Sequence, residues 1–249
     1  GLTEALIAVP AYEQSSDQEV AFQAVDYILR VLKKNMVFGM TWGRAMHEFV
    51  EQLAKDERLR SLSFQNVKVV PFLGTPGAIQ SDSWNTTTYS NTLATKVGNL
   101  LHCASYNLSA PMYVEGTKEK ELIESIDEIA KVLHMAETAD IALIGIGSMQ
   151  DDSSIIKAEI RTKEEYKELV RKGAVGEIVG RIYDKNGQTV DEDLKRKMVG
   201  ISLDKIAKIP VRVGMSYGKD KIEAIKGAIA GGLVNVLVTD VPTAELLLK

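Results

Sequence analysis

The chain predicts a doubly wound α/β fold with a mostly parallel sheet, built as one domain over residues 1–249. Three observations predict it. Short apolar segments of strand length alternate with longer segments whose apolar residues recur every three or four positions. The clearest apolar segment, "ADIALIGIGS" (139–148), reads as a buried strand. Glycines sit where strands give way to helices, as in "FGMTWGRAM" and "MSYGKDK".

The elements follow in order. "ALIAVP" (5–10) is a short strand. Residues 17–34 form a helix, because Val20, Ala24, Ile28 and Val31 share a face and Asp17 can cap it. "MVFGM" (36–40) is the second strand, and 43–55 is a helix that turns Met46, Phe49, Val50 and Leu53 inward. "VKVVPFLG" (67–74) is a third strand and ends in the turn "GTPG". Residues 75–90 are polar and irregular. Residues 91–105 and 118–135 are helices, with "APMYVEG" extended between them. After strand 139–148 come helix 162–172, the strand "EIVGRIYD" (177–184) and the turn "KNG". "IPVRVGMSYG" (209–218) is strand and loop. A helix then runs to Gly231 and Gly232, "VNVLVTD" (234–240) is the last strand, and a helix extends from 243 onward. Ligands in such folds collect at the carboxyl ends of the strands, which directs attention to loops 39–45, 73–90, 145–154 and 214–221.

Composition narrows the function classes. The chain is 45% hydrophobic and 26% charged, ordinary for a globular protein. No apolar run reaches the roughly 18–20 residues that cross a bilayer. The start is too short and acidic for a signal peptide. With Gly1 in first place and no initiator Met, we expect a fragment of a longer protein. Thirty basic against 34 acidic residues give a charge of −4, which argues against a nucleic-acid surface on this part of the molecule. Cys103 is the only cysteine, so the chain suits a reducing cytoplasm, and its apolar surroundings make it a small core residue rather than a reactive thiol. His47, His102 and His134 have no partner at metal-ligand spacing, and no Walker motif or Ser-His-Asp order appears. The sequon at Asn85 is not expected to be glycosylated.

The loops carry the candidate chemistry. Gly43, Arg44 and Ala45 open a helix, so their backbone N–H groups and the helix dipole suit a phosphate, and Thr41 offers a hydroxyl. The alternative is a tight turn with Trp42 packed on the core. The loop at Gly218 has the same form, with Lys219 and Lys221 in the first turn of the following helix. Cations there call for solvent or an anion. "IGIGSMQDD" offers Gly147, Ser148, Asp151 and Asp152, whose carboxylates could accept bonds from sugar hydroxyls or simply form a polar turn. It is no dinucleotide fingerprint, because Gln150 stands where a third Gly belongs. Glu177, flanked by Gly176 and Gly180, could bind vicinal hydroxyls or act as a base; a surface glutamate at a strand end is the alternative.

Over nearly its whole length the sequence resembles the sugar-binding (effector) domain of SorC-type bacterial transcriptional regulators. That group includes central glycolytic gene regulators and one class of deoxyribonucleoside regulators. The resemblance rests on "GMTWGRAM", "ADIALIGIGSM", "KGAVGEIVGRIYDKNGQTVD", "VGISLDKIAKIP", "GKDKIEAI" and "GGLVNVLVTDVPTAELLL", in that order. It implies a Rossmann-like fold related to ribose-5-phosphate isomerase and glucosamine-6-phosphate deaminase. It also implies a phosphorylated sugar as inducer, no cofactor, operator DNA bound through an N-terminal helix-turn-helix domain absent from this chain, and a homo-oligomer, dimer or tetramer, with no membrane partner. By family pattern the phosphate sits on the loop at Gly43, Arg44 and Ala45 and on Lys221, and Glu177 meets sugar hydroxyls. Two departures stand out. Ala45 occupies a position where many relatives carry Thr or Ser. The loop that carries an arginine in bisphosphate-binding relatives reads Phe72, Leu73 and Gly74, which implies a monophosphate rather than a second phosphate pocket, with Gly74 kept as a candidate ligand-binding residue.

Three functions are to be distinguished on this fold. The first is an inducer-binding domain that performs no chemistry. The second is a sugar-phosphate isomerase or deaminase, with Glu177 as base and Lys221 steadying the oxyanion. The third, a nucleotide-binding protein of Rossmann type, needs a glycine fingerprint that the chain lacks.

Overall fold

Alternate residues of a strand face opposite sides of its sheet, and this sequence supplies apolar side chains to both. The computed structural model describes residues 1–9, 15–76, 86–151 and 153–249. The chain begins with β1 (Glu4–Ala8), α1 (Ser16–Val31), β2 (Val37–Met40), α2 (Arg44–Leu53), β3 (Lys68–Pro71), α3 (Ser90–Leu100) and β4 (Ala104–Ser105). Then follow α4 (Thr117–Glu124), α5 (Asp127–Glu137), β5 (Ile141–Gly145), β6 (Gly147–Ser148), α6 (Ser154–Lys157), α7 (Lys163–Arg171), β7 (Ala174–Ile178) and β8 (Arg181–Asp184). Next come α8 (Glu192–Lys197), α9 (Leu203–Ile206), β9 (Val211–Met215), α10 (Ile222–Ala230), β10 (Val236–Asp240) and α11 (Val241–Leu247).

Seven strands form one sheet in the order β1-β10-β9-β5-β2-β3-β4, and every neighbouring pair is parallel. One face meets α1, α2 and α3. There Phe38, Met40, Ile141, Leu143, Val236 and Val238 bury against Val20, Ile28, Phe49 and Leu93. The intervening residues Ala142, Ile144 and Leu237 turn to the other face, against Ile225 and Ala228 of α10. The fold is therefore doubly wound, as the alternating pattern predicts. A second sheet, β6-β7-β8, is antiparallel and packs beside α10.

Strand order sets the site. The chain travels outward from β2 through β3 to β4, then returns to place β5 on the other flank of β2. Connections leave β2 and β5 in opposite directions, so the position at which sheets of this kind form a ligand crevice lies between their carboxyl ends, at Thr41 and Gly145.

Several expected boundaries differ, each for a local reason. Helix 91–105 stops at Leu100: His102 adopts φ 52° and the Cys103 amide returns to the Gly98 carbonyl at 2.9 Å, which closes the helix. Ala104 and Ser105 then pair with Lys68 and Val69 as an edge strand. Cys103 is accordingly half-buried beyond the helix, and burial pushes its thiol up to about 11. The single helix expected over 118–135 is two, α4 and α5. Ser125 bends its hydroxyl to the Leu122 carbonyl, and Asp127 and Glu128 start a new helix where acids favour the dipole.

The strand expected over 139–148 divides, because β6 leaves the main sheet to pair with β7. "EIVGRIYD" is a hairpin rather than one strand. Val179 (φ 54°) and Gly180 (φ 69°) form its two-residue turn, whose doubly positive φ matches strand twist. Asp17 does not cap α1; Ser15 holds that position, and the Asp17 carboxyl bonds Tyr217 instead. The short helices α6, α8 and α9 were not anticipated, being too brief to show a period. The polar loop at 75–90 falls largely on residues 77–85, outside the described residues. No described helix is long and apolar enough to cross a membrane.

Candidate functional site

Four chain segments meet at the crevice. The first leaves β2. Thr41 is fully buried, and its hydroxyl accepts the Gly145 amide at 2.9 Å, tying the two strands together where they diverge. Trp42 is also buried and donates its indole N–H to the Glu177 carboxylate. Gly43 takes φ 105° and ψ 179° at the N-cap of α2, a conformation that a side chain strains. No side chain caps this helix and no acid lies in its first turn, so among the described residues the amides of Ala45 and Met46 start the helix without an acidic partner. Arg44 is exposed, and its charge is felt by the Tyr217 hydroxyl.

One expectation is corrected here. The Gly43 amide is not available to a ligand: it donates to the Thr88 carbonyl at 3.0 Å. A Cβ on Gly43 would meet nothing within 4 Å, so the glycine serves the turn's φ rather than relieving a collision. The backbone donors of this loop that no side chain caps are thus the next amides along, those of Ala45 and Met46.

The second segment is the turn after β9. Gly218 (φ 105°) donates its amide to Thr243 Oγ1 at 2.7 Å, and a 3₁₀ turn over Lys219–Lys221 leads into α10. Lys221 is partly buried and its Nζ donates to Ser148 Oγ at 3.0 Å, whereas Lys219 is exposed. The third segment is β6. Ser148 is 5% exposed and donates to Asp220 Oδ2 at 3.0 Å. Gly147 pairs with Glu177, and a Cβ there would stand 2.8 Å from Glu177 Oε2, so the missing side chain makes room for the carboxylate.

The fourth segment is the β7–β8 hairpin. Glu177 is 6% exposed and accepts the Gly180 amide as well as the Trp42 indole. Burial pushes its carboxyl up; the Gly180 and Trp42 bonds and the charges of Lys221 and Arg181 oppose that rise. Arg181 lies deeper, its guanidinium donating to the carbonyls of Val179, Met198 and Gly200. Burial lowers it to about 10. The hairpin turn holds Val179 at φ 54°, which is costly for a β-branched residue, and the turn is what aims the Gly180 amide at Glu177.

The structure thus brings together Trp42, Gly147, Ser148, Glu177 and Lys221, with the start of α2 alongside. It does not bring in all the rest. Asp151 is exposed and sits 3.8 Å from Lys163. Asp152 lies outside the described residues. Gly74 is buried, its amide donates to Val199, and a Cβ would strike the Ala110 carbonyl at 2.4 Å; it closes the loop against 110–111, and its amide is taken. Sequence reasoning named Gly180 only as a neighbour of Glu177, not as the donor to its carboxylate, and missed Asp220. Asp220 stood in plain view in "GKDK", but nothing in the spacing says that its carboxylate folds back. Among the described residues no His, Cys, Asp or Glu group could hold a metal ion.

Comparisons with known proteins follow the same lines. Residues 1–249 match the family model described as "Putative sugar-binding domain". The chain is 30% identical over 253 residues to the sorbitol operon regulator of Klebsiella pneumoniae, covering 100% of this chain and 77% of that protein. It is 30% identical over 230 residues to the transcriptional regulator LsrR of Escherichia coli, covering 91% of this chain and 67% of the relative. The crystal structure of the full-length sorbitol operon regulator SorC from Klebsiella pneumoniae superposes with a TM-score of 0.86 at 28% identity, over 100% of this chain and 77% of that one. With the fold, the match along the whole chain and these relatives in agreement, the chain belongs to the sugar-binding domain family of SorC-type transcriptional regulators.

Proposed function

We propose that this domain binds a phosphorylated sugar as inducer and performs no chemistry on it. The carrying observation is the meeting, at the β2/β5 crevice, of an uncapped helix start, the Lys221–Ser148 pair and the buried Glu177 carboxylate. The phosphate rests on the Ala45 and Met46 amides and on Lys221. Glu177, held by Gly180 and Trp42, accepts hydroxyls of the sugar. Leu73 is fully buried and Gly74 is closed against backbone, which favours a ligand with one phosphate.

In the cytoplasm, ligand closure then alters the geometry of a dimer or tetramer. An attached N-terminal helix-turn-helix domain changes its operator affinity, and the operon for a carbohydrate pathway responds. The response can be no larger than the ligand's difference in affinity for the two states.

A thermal-shift screen of sugar and polyol phosphates beside their unphosphorylated forms tests this. A ligand at 100 times its dissociation constant stabilises the fold by about 2.7 kcal/mol. Equal stabilisation by the unphosphorylated partners would remove the phosphate from the reading. One observation favours a second reading, a sugar-phosphate isomerase or deaminase: burial raises the Glu177 carboxyl above its ordinary value, the direction that suits a carboxylate base. Turnover of ribose 5-phosphate or glucosamine 6-phosphate that disappears in Glu177→Gln would establish it.

A further inference from the structure

The cationic end of the crevice already holds an anion of the chain's own. Ser148 Oγ accepts from Lys221 Nζ at 3.0 Å and donates to Asp220 Oδ2 at 3.0 Å. The same Oδ2 stands 4.0 Å from Lys221 Nζ. Asp220 reaches this position by folding back over the turn. Its other oxygen, Oδ1, lies where a Cβ on Gly218 would come within 2.9 Å, so a side chain at 218 would crowd it. Ser148 is buried at 5% exposed, whereas the Asp220 side chain is 47% exposed and has solvent to swing into.

A serine hydroxyl has one proton to give. While it goes to Asp220, it cannot go to a phosphate oxygen, which is acceptor-only. The carboxylate also repels any second anion that approaches Lys221. We infer that Asp220 is a built-in competitor of the ligand's phosphate: the carboxylate occupies the Ser148 and Lys221 end of the crevice, and a phosphate must expel it to take both groups. This rests on the phosphate reading above and deepens it. Asp220 then sets how strong an anion the site demands. A dianionic phosphate displaces it, and a neutral sugar hydroxyl has no charge with which to do so.

The test uses inorganic phosphate as probe, by calorimetry and thermal shift, on the 249-residue chain and on its Lys221→Ala, Asp220→Asn and Asp220→Ala variants. Asparagine keeps an acceptor for Ser148 and removes the charge, so it preserves local shape; alanine removes both. Both Asp220 variants should bind phosphate more tightly than the wild type, on the order of tenfold, and their affinity for unphosphorylated sugars should not rise in step. Unchanged or weaker phosphate binding in both variants overturns the inference. If wild-type phosphate binding disappears with Lys221→Ala yet neither Asp220 variant binds more tightly, only the competitor role falls. If phosphate binding is undetectable throughout, or is indifferent to Lys221, the phosphate reading falls and takes this inference with it.

Discussion

The Thr41 hydroxyl accepts the Gly145 amide at 2.9 Å, joining the carboxyl ends of β2 and β5 at the point where the sheet's connections diverge. Thr41 is fully buried and Gly145 is half-buried, so the amide has little but this hydroxyl to bond. Thr41→Val keeps the shape and leaves the amide unpaired, which costs about 1–3 kcal/mol. Thermal denaturation should show a lower melting temperature, by about 2–4 °C per kcal/mol for a chain of this size. An unchanged melting temperature would mean that water replaces the bond.

Lys221 meets Ser148 at the crevice and contributes positive charge near Glu177. Lys221→Ala should weaken binding of a phosphorylated sugar by roughly 1.5–3 kcal/mol, the worth of a charged hydrogen bond. Calorimetry with the best ligand of the screen measures it. Affinity that stays constant for every phosphorylated sugar places the phosphate elsewhere.

Gly43 has room for a side chain but not the backbone for one. Gly43→Ala should therefore cost about 1–3 kcal/mol, because φ 105° with ψ 179° is a conformation essentially open to glycine alone, with no steric clash to relieve. The start of α2 would tilt, and sugar-phosphate affinity should fall alongside stability. Wild-type values for both in the alanine variant would show that this turn tolerates a side chain.

Glu177 provides a pH test. Its carboxyl is raised in the folded state above the ordinary value of 4.5 because burial disfavours its charge. A raised group stabilises the fold fully below its unfolded pKa and loses that contribution as pH rises through the folded one. Relative to Glu177→Gln, the wild type should therefore lose stability as pH rises above 4.5 and through the folded value. Denaturant titrations at several pH values read the difference. A gap between the two that does not change with pH would mean that Glu177 folds with its charge fully compensated.

Trp42 bonds the carboxylate proposed to meet the sugar, so its emission should respond to ligand. The second tryptophan of the sequence, Trp84, is removed as Trp84→Phe to isolate the signal. Titration with a phosphorylated sugar should shift or quench the remaining emission, and a silent titration with proven binding would show that ligand leaves the Trp42–Glu177 bond untouched.

Much of the fold was legible because buried strands and amphipathic helices carry their periods locally. Met46, Phe49, Val50 and Leu53 read as one face and are all buried. The α2 start and the Gly218 turn were legible as well, since a glycine before a helix is a local signal. The hairpin at Val179 and Gly180 was not, because valine argues against a turn and only the Glu177 carboxylate, reaching back to the Gly180 amide, shows what the strain supports. Gly43 misled in a different way. Its presence signalled a helix start correctly, but the partner that consumes its amide, Thr88, arrives from a polar loop about 45 residues later, with no pattern to announce it.

The sequence by itself determined the doubly wound class, the two glycine turns, the family and the residues at which to look. Those properties depend on local periodicity and on motifs that are contiguous in the chain. Only the tertiary structure decided that Trp42, Ser148, Glu177 and Lys221 share one crevice, that the Gly43 and Gly74 amides are taken, and that Asp220 lies against Ser148. Hydrogen bonds between residues some 70 to more than 100 positions apart carry no periodic trace in the chain. The parting of the connections at β2 and β5, strands adjacent in the sheet but about a hundred residues apart in the chain, is what brings Thr41 and Gly145 within bonding distance.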